Sequence, residues 1–66
     1  MRLTDFWERM DRAFGAGYAG SVARDQVLAE LGGRTITQAL DAGEEIHVVW
    51  RAVTAAYPDR VPSKLR

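Results

Sequence analysis

Cysteine is absent from this sequence, and with it go two ways of holding a short chain together, the disulfide and the thiolate-bound zinc. Histidine occurs once, at His47, and serine only at Ser21 and Ser63. A nucleophile with a positioned base and an orienting acid therefore has almost nothing to draw on. An excess of charge of either sign is also lacking. Nine basic residues balance nine acidic ones, which removes any strong global pull toward nucleic acid or anionic lipid. No apolar run approaches the roughly 20 residues that span a bilayer. The N-terminal MRLTDFWERMDRAF is charged too often to contain the apolar core of a signal peptide. A cytoplasmic protein with no membrane partner is the expectation. Nothing alternates with period two, so no β-hairpin is predicted.

What is present fits one small domain. Sixty-six residues leave no room for a second. A chain of this size buries only about 60% of its unfolded surface, and its core supplies no more than roughly 3–5 kcal/mol of net stability. That stability comes from packing or from a partner, and a second copy of the chain is one candidate. Eight of the nine basic residues are Arg, a bias that reads as a GC-rich genome rather than as guanidinium chemistry. The basic excess sits in the tail, where Arg60, Lys64 and Arg66 face only Asp59.

The apolar spacing predicts an all-α fold, a compact bundle of about four short helices over roughly 5–14, 18–31, 36–42 and 44–57. Residues 1–57 form the single domain, and 58–66 a Pro-broken basic tail from which Val61 and Leu65 could dock on the bundle. In the first helix Thr4 reads as the N-cap, Leu3, Phe6, Trp7, Met10, Ala13 and Phe14 form an apolar stripe, and Gly15 is the stop. Asp5–Arg9 and Glu8–Arg12 are acid-then-base pairs on its solvated side. The second helix has an ambiguous start near Gly17 to Ser21, turns Val27, Leu28 and Leu31 inward, and ends at Gly32-Gly33. Thr35 with Gln38 fits a capping box for the third helix, which Gly43 closes. In the fourth, Ile46, Val49, Trp50, Val53 and Tyr57 give the clearest helical periodicity, and Pro58 terminates it.

Two patterns resemble chemistry and dissolve on inspection. Gly15, Gly17 and Gly20 match GxGxxG, but that spacing holds a pyrophosphate only between a strand and a helix. Here it follows a helix and reads as a flexible turn. Glu44 and His47 form one ExxH pair, whereas dimetal bundles need two such pairs and further Glu. No metal, cofactor or catalytic residue is expected, and the protein reads as a non-enzyme.

The segment from Thr35 to Val53 has more content. It reads as helix, tight turn, helix, with Ala39 at the close approach, Gly43 in the turn and Val49 packing back. This spacing is similar to that of DNA-binding helix-turn-helix units, whose second helix enters the major groove. Glu44, Glu45, His47, Val48 and Arg51 would line its reading face. Asp41, Glu44 and Glu45 would then sit against phosphates, which repel them. Tight packing of an αα-hairpin is the simpler account.

Taken together, the segments LTDFWERM, VLAELGGRT and VVWRAV resemble the small actinobacterial family known as domain of unknown function 3046, over nearly the whole chain. The resemblance implies a bacterial, cytoplasmic, helical protein, in keeping with the Arg-rich composition. It implies no activity and supplies no catalytic residues. It also implies a gene neighbourhood near the recombinase of homologous repair and its regulator, which is an association and not a mechanism.

Two functions from different classes follow as expectations. The first is a non-catalytic protein-interaction module that meets a protein partner or a second copy. It would present exposed parts of the first and fourth helices, including Trp7 and Arg51, although Trp7 and Trp50 both read first as core residues. Tyr18 and Tyr57 read as core-edge residues with wet hydroxyls. The alternative is a DNA-binding or DNA-repair accessory protein that uses the 35–53 unit, with Arg51, Arg60, Lys64 and Arg66 as its nucleic-acid contacts.

Overall fold

The computed structural model describes residues 1–62. Four α-helices dominate it: α1 (Leu3–Phe14), α2 (Ala19–Asp25), α3 (Ile36–Asp41) and α4 (Ile46–Ala56). Between α2 and α3 lie two short strands, β1 (Val27–Leu28) and β2 (Arg34–Thr35), joined through a 3₁₀ turn over Ala29–Leu31. The fold is therefore mostly helical but not all-α, and the helix expected over 18–31 is only Ala19–Asp25.

The hairpin explains that correction. Gln26 leaves the helix with extended backbone, φ −91° and ψ 120°. Val27 pairs antiparallel with Thr35, and Leu28 with Arg34. The return is made by two consecutive glycines in the left-handed region, Gly32 at φ 69° and Gly33 at φ 81°. Their N–H groups donate to Ala29 and Leu28 carbonyls, both at 3.0 Å. Gly32-Gly33 is thus a chain stop as expected, but it closes a 3₁₀ turn rather than a long helix. The strand geometry sends alternate side chains to opposite faces. Leu28 is buried, and Val27, expected inside, is 61% exposed.

Helix α1 begins two residues earlier than expected. Arg2, not Thr4, is the N-cap residue, and its backbone N–H donates to the Asp5 carboxylate at 3.2 Å. That bond and the Arg2 side chain, 3.5 Å away, draw Asp5 toward Arg2 rather than Arg9. Among the described residues no ion pair joins Asp5 to Arg9 or Glu8 to Arg12. Gly15 ends the helix with φ 92°, and its N–H donates to Asp11 at 2.8 Å.

The capping box of α3 is present as expected. The Gln38 N–H donates to Thr35 Oγ1 at 3.1 Å, and the Thr35 N–H donates to Gln38 Oε1 at 2.9 Å. At its other end Glu44 N–H reaches the Ala39 carbonyl and Gly43 N–H the Leu40 carbonyl, each at 3.1 Å. This is the Schellman arrangement, with Gly43 at φ 89°. It reverses the chain into α4, which runs from Ile46 rather than Glu44. Tyr57 precedes Pro58, where the helical conformation is disfavoured, and takes φ −129° and ψ 62°.

The core lies where α1, α3 and α4 meet. Phe6, Met10, Ile36, Val49 and Val53 are fully buried there, and Val61 joins them from the turn after Pro58. That docking of Val61 was expected, and the core reaches beyond residue 57. Leu65 lies outside the described residues. Trp50 is buried, as expected, with its ring edge-on to Phe6 at 5.8 Å and 87°. Among the described residues no helix is long and apolar enough to cross a membrane.

Candidate functional site

A small core leaves some members of each apolar stripe uncovered, and their grouping defines the candidate sites. Three elements converge on one largely apolar groove. Helix α1 contributes Leu3 and Trp7, and α3 contributes Thr37, Leu40 and Asp41. Glu44 and Ile46, from the turn into α4, complete a space of about 430 Å³. Leu3 is 48% exposed, and Trp7, Leu40 and Ile46 are half-buried against the core. The Trp7 ring stands edge-on to Phe6 at 5.3 Å and 83°, so a fully buried side chain fixes its inner edge.

The polar members of this groove are acidic. Asp41 is exposed at the end of α3, and Glu44 is half-exposed. Arg34 reaches Glu44 at 3.7 Å while its Nε donates to the Leu31 carbonyl at 3.0 Å. It thereby ties the hairpin loop to the α3–α4 turn. Among the described residues no Lys or Arg lines the groove itself.

Arg51 is elsewhere. It lies exposed on α4, beside a shallow groove with Arg9, His47, Trp50 and Thr54 and a second with Glu30, Val48, Ala52 and Ala55. The structure does not bring Trp7 and Arg51 into one groove. Arg60 borders a third region, about 490 Å³, with Phe14, Tyr18, Val22, Gln26 and Tyr57. Its floor is the Phe14–Tyr57 pair, edge-on at 5.1 Å. Tyr57 is at the core edge as expected, but Tyr18 is 71% exposed. Arg51 and Arg60 therefore line different surfaces, and Lys64 and Arg66 lie outside the described residues.

The chemistry-like motifs resolve locally. His47 Nδ1 is 3.3 Å from Glu45, not paired with Glu44, which turns to Arg34. Among the described residues no cluster of three or more His, Cys, Asp or Glu could hold a metal ion. Gly15 and Gly17 lie in the turn from α1 into α2 and Gly20 in the first turn of α2, with no strand before them. Ser21 is exposed on α2.

Among the described residues, Asp5 is the group whose acidity departs clearly from the ordinary value. The N–H of Arg2 donates to its carboxylate and lowers its pKa, with the Arg2 charge assisting. This is helix capping and not site chemistry.

The stripes read in the sequence included Leu3 and Ile46 without marking them as exposed. That signal needed the packing, because the groove joins residues from separate elements.

The family model described as "Protein of unknown function (DUF3046)" matches residues 1–64. The chain belongs to this family. All residues of the Trp7 groove fall inside the part shared with DUF3046, as do Arg51 and Arg60. No curated protein and no solved structure matches the chain.

Proposed function

We propose that this DUF3046 protein is a non-catalytic protein-interaction module. The observation that carries the reading is the contiguity of Leu3, Trp7, Leu40 and Ile46. Four large apolar side chains share one partly open groove in a domain with few to spare for its core. Water-exposed apolar surface grouped in this way marks association sites more often than scattered residues do. The Arg-rich, cysteine-free composition supports a bacterial cytoplasmic setting, actinobacterial by the resemblance already described.

The test is affinity capture by the tagged full chain from an actinobacterial lysate, with and without nuclease. A protein retained after nuclease treatment supports the module. Capture that disappears with nuclease moves the assignment to nucleic acid.

A second reading has one observation in its favour, the α3–turn–α4 geometry with Gly43 at the bend. A DNA-binding unit of this kind presents the N-terminal part of its second helix to base edges. In this chain Glu44 and Glu45 precede that helix, and Arg51 lies more than a turn further along. Phosphate repulsion by the two acids weighs against DNA, and Arg60 lies on a separate groove. This alternative requires binding to single- or double-stranded DNA at about 50 mM salt that falls steeply as salt rises.

A further inference from the structure

We infer that the Trp7 groove docks a segment of another protein that carries aliphatic side chains with Lys or Arg beside them. This rests on the interaction-module reading and specifies its surface and the chemistry of its occupant. The floor asks for apolar side chains, since Leu3, Trp7, Leu40 and Ile46 all leave carbon surface in water. The rim asks for a cation. Asp41 and Glu44 are its charged members; Arg34 stands 3.7 Å from Glu44 without lining the groove, and among the described residues no Lys or Arg does. A basic residue beside the apolar anchors is attracted there, and an acidic one is repelled.

The groove is also built to keep its shape. Trp7 is backed by the buried Phe6 ring, at 5.3 Å. Leu40 and Asp41 stand on a helix fixed at one end by the Thr35–Gln38 box and at the other by the Gly43 turn. Glu44 has Arg34 as its ion-pair partner. An occupant therefore meets anchors already ordered, which lowers the entropy lost on binding.

A second copy fits less well. Two copies meeting symmetrically through this groove would bring both sets of Asp41 and Glu44 together. The Val48–Arg51 strip of α4 has apolar and basic character, but it lies on a different surface. Its insertion into the groove would be head-to-tail, a contact that leaves unfilled ends in a pair and closes only as a larger ring. A different protein satisfies both the floor and the rim without these conflicts.

The experiment selects phage-displayed random peptides on the folded full chain and titrates a synthetic selected peptide by amide and indole NMR. The expected consensus pairs aliphatic residues with Lys or Arg. The expected shifts are largest at the Trp7 indole and at Leu40 and Ile46. Affinity should drop about tenfold or more in Asp41→Lys and fall with added salt, while Val48→Ser leaves it unchanged. Asp41 is exposed at a helix C-terminus, where Lys is well tolerated, so this variant keeps the fold testable. Leu3→Ser, at another exposed position, should weaken binding independently of charge. Acidic consensus peptides, equal binding to Asp41→Lys, or no enrichment at all would overturn the proposal. So would self-association that itself shifts the groove residues on concentration. Peptides that map to the Val48–Arg51 strip would overturn the groove assignment and leave the interaction-module reading standing.

Discussion

Thr35 and Gln38 cap each other: the backbone N–H of each donates to the side-chain oxygen of the other, at 2.9 and 3.1 Å. The pair stands where the hairpin hands the chain to α3, since Thr35 also pairs with Val27 across the strands. Loss of the Thr35 hydroxyl leaves a helix N–H without its acceptor in a nearly buried place. Thr35→Ala should cost about 1 kcal/mol, and that lowers Tm by roughly 4–8 °C in a domain of this size. Thr35→Ser should retain most of the stability. Thermal unfolding followed by circular dichroism checks both.

Gly43 and Gly17 make a controlled pair. A Cβ added to either meets no atom within 4 Å, but only Gly43 has positive φ, at 89°. Gly43→Ala should therefore destabilise by about 1–2 kcal/mol through backbone strain alone. Gly17→Ala should be neutral or stabilise by up to about 1 kcal/mol, because it restricts the unfolded chain. Urea midpoints of the two variants should move in opposite directions or differ clearly in size. Equal effects would show that the Gly43 turn is not the bend that sets α3 against α4.

Val61 is completely buried although it follows the helix-ending proline. Val61→Ala should cost about 2 kcal/mol from lost burial and the cavity left behind. Arg60→Ala, on the exposed side of the same turn, should cost little. If both variants unfold at the same urea concentration as the wild type, the turn contributes nothing to the core.

Asp5 should titrate below the ordinary carboxylate range because the Arg2 N–H favours its charged form. The folded state then binds fewer protons at this site than the unfolded state does. Its contribution is complete above the unfolded pKa and fades as pH falls through the folded value. Asp5→Asn should reduce stability slightly at neutral pH, and the difference from wild type should vanish in acid. An NMR titration of the Asp5 carboxyl that gives an ordinary midpoint would rule this out.

Much of the helical frame was legible because its signals are local. The Thr35–Gln38 box, the glycines after α1 and α3, and the proline after α4 act over three or four residues, and each operates where it was read. The hairpin was not legible. Val27, Leu28 and Leu31 have helical spacing, and two-residue strands are too short to reveal alternation. What decides between helix and hairpin is the pairing with Arg34 and Thr35, a contact between segments. Val27 turned outward for that reason. Tyr18 stayed exposed because α2 begins only after it, which leaves its ring in the turn rather than against the core edge.

The candidate site was half legible. Trp7 was singled out, and it does stand at a partly open apolar surface. Arg51, expected with it as an exposed residue of the first and fourth helices, lines different grooves. A stripe identifies which residues seek cover. It does not say which of them the small core covers only in part, and in this groove those are Leu3, Trp7, Leu40 and Ile46.

The unequal burial of Trp7 and Trp50 gives this chain two intrinsic optical reporters with separate duties. Trp50, 4% exposed and packed on Phe6, emits from the interior and responds when the core opens. Trp7, half-buried at the groove, faces solvent that an occupant would displace. If the groove is occupied as proposed, Trp50→Phe should leave an emission that follows its occupancy, and Trp7→Phe one that follows unfolding. The proposed binding could then be followed separately from folding in the same small domain, without attached dyes.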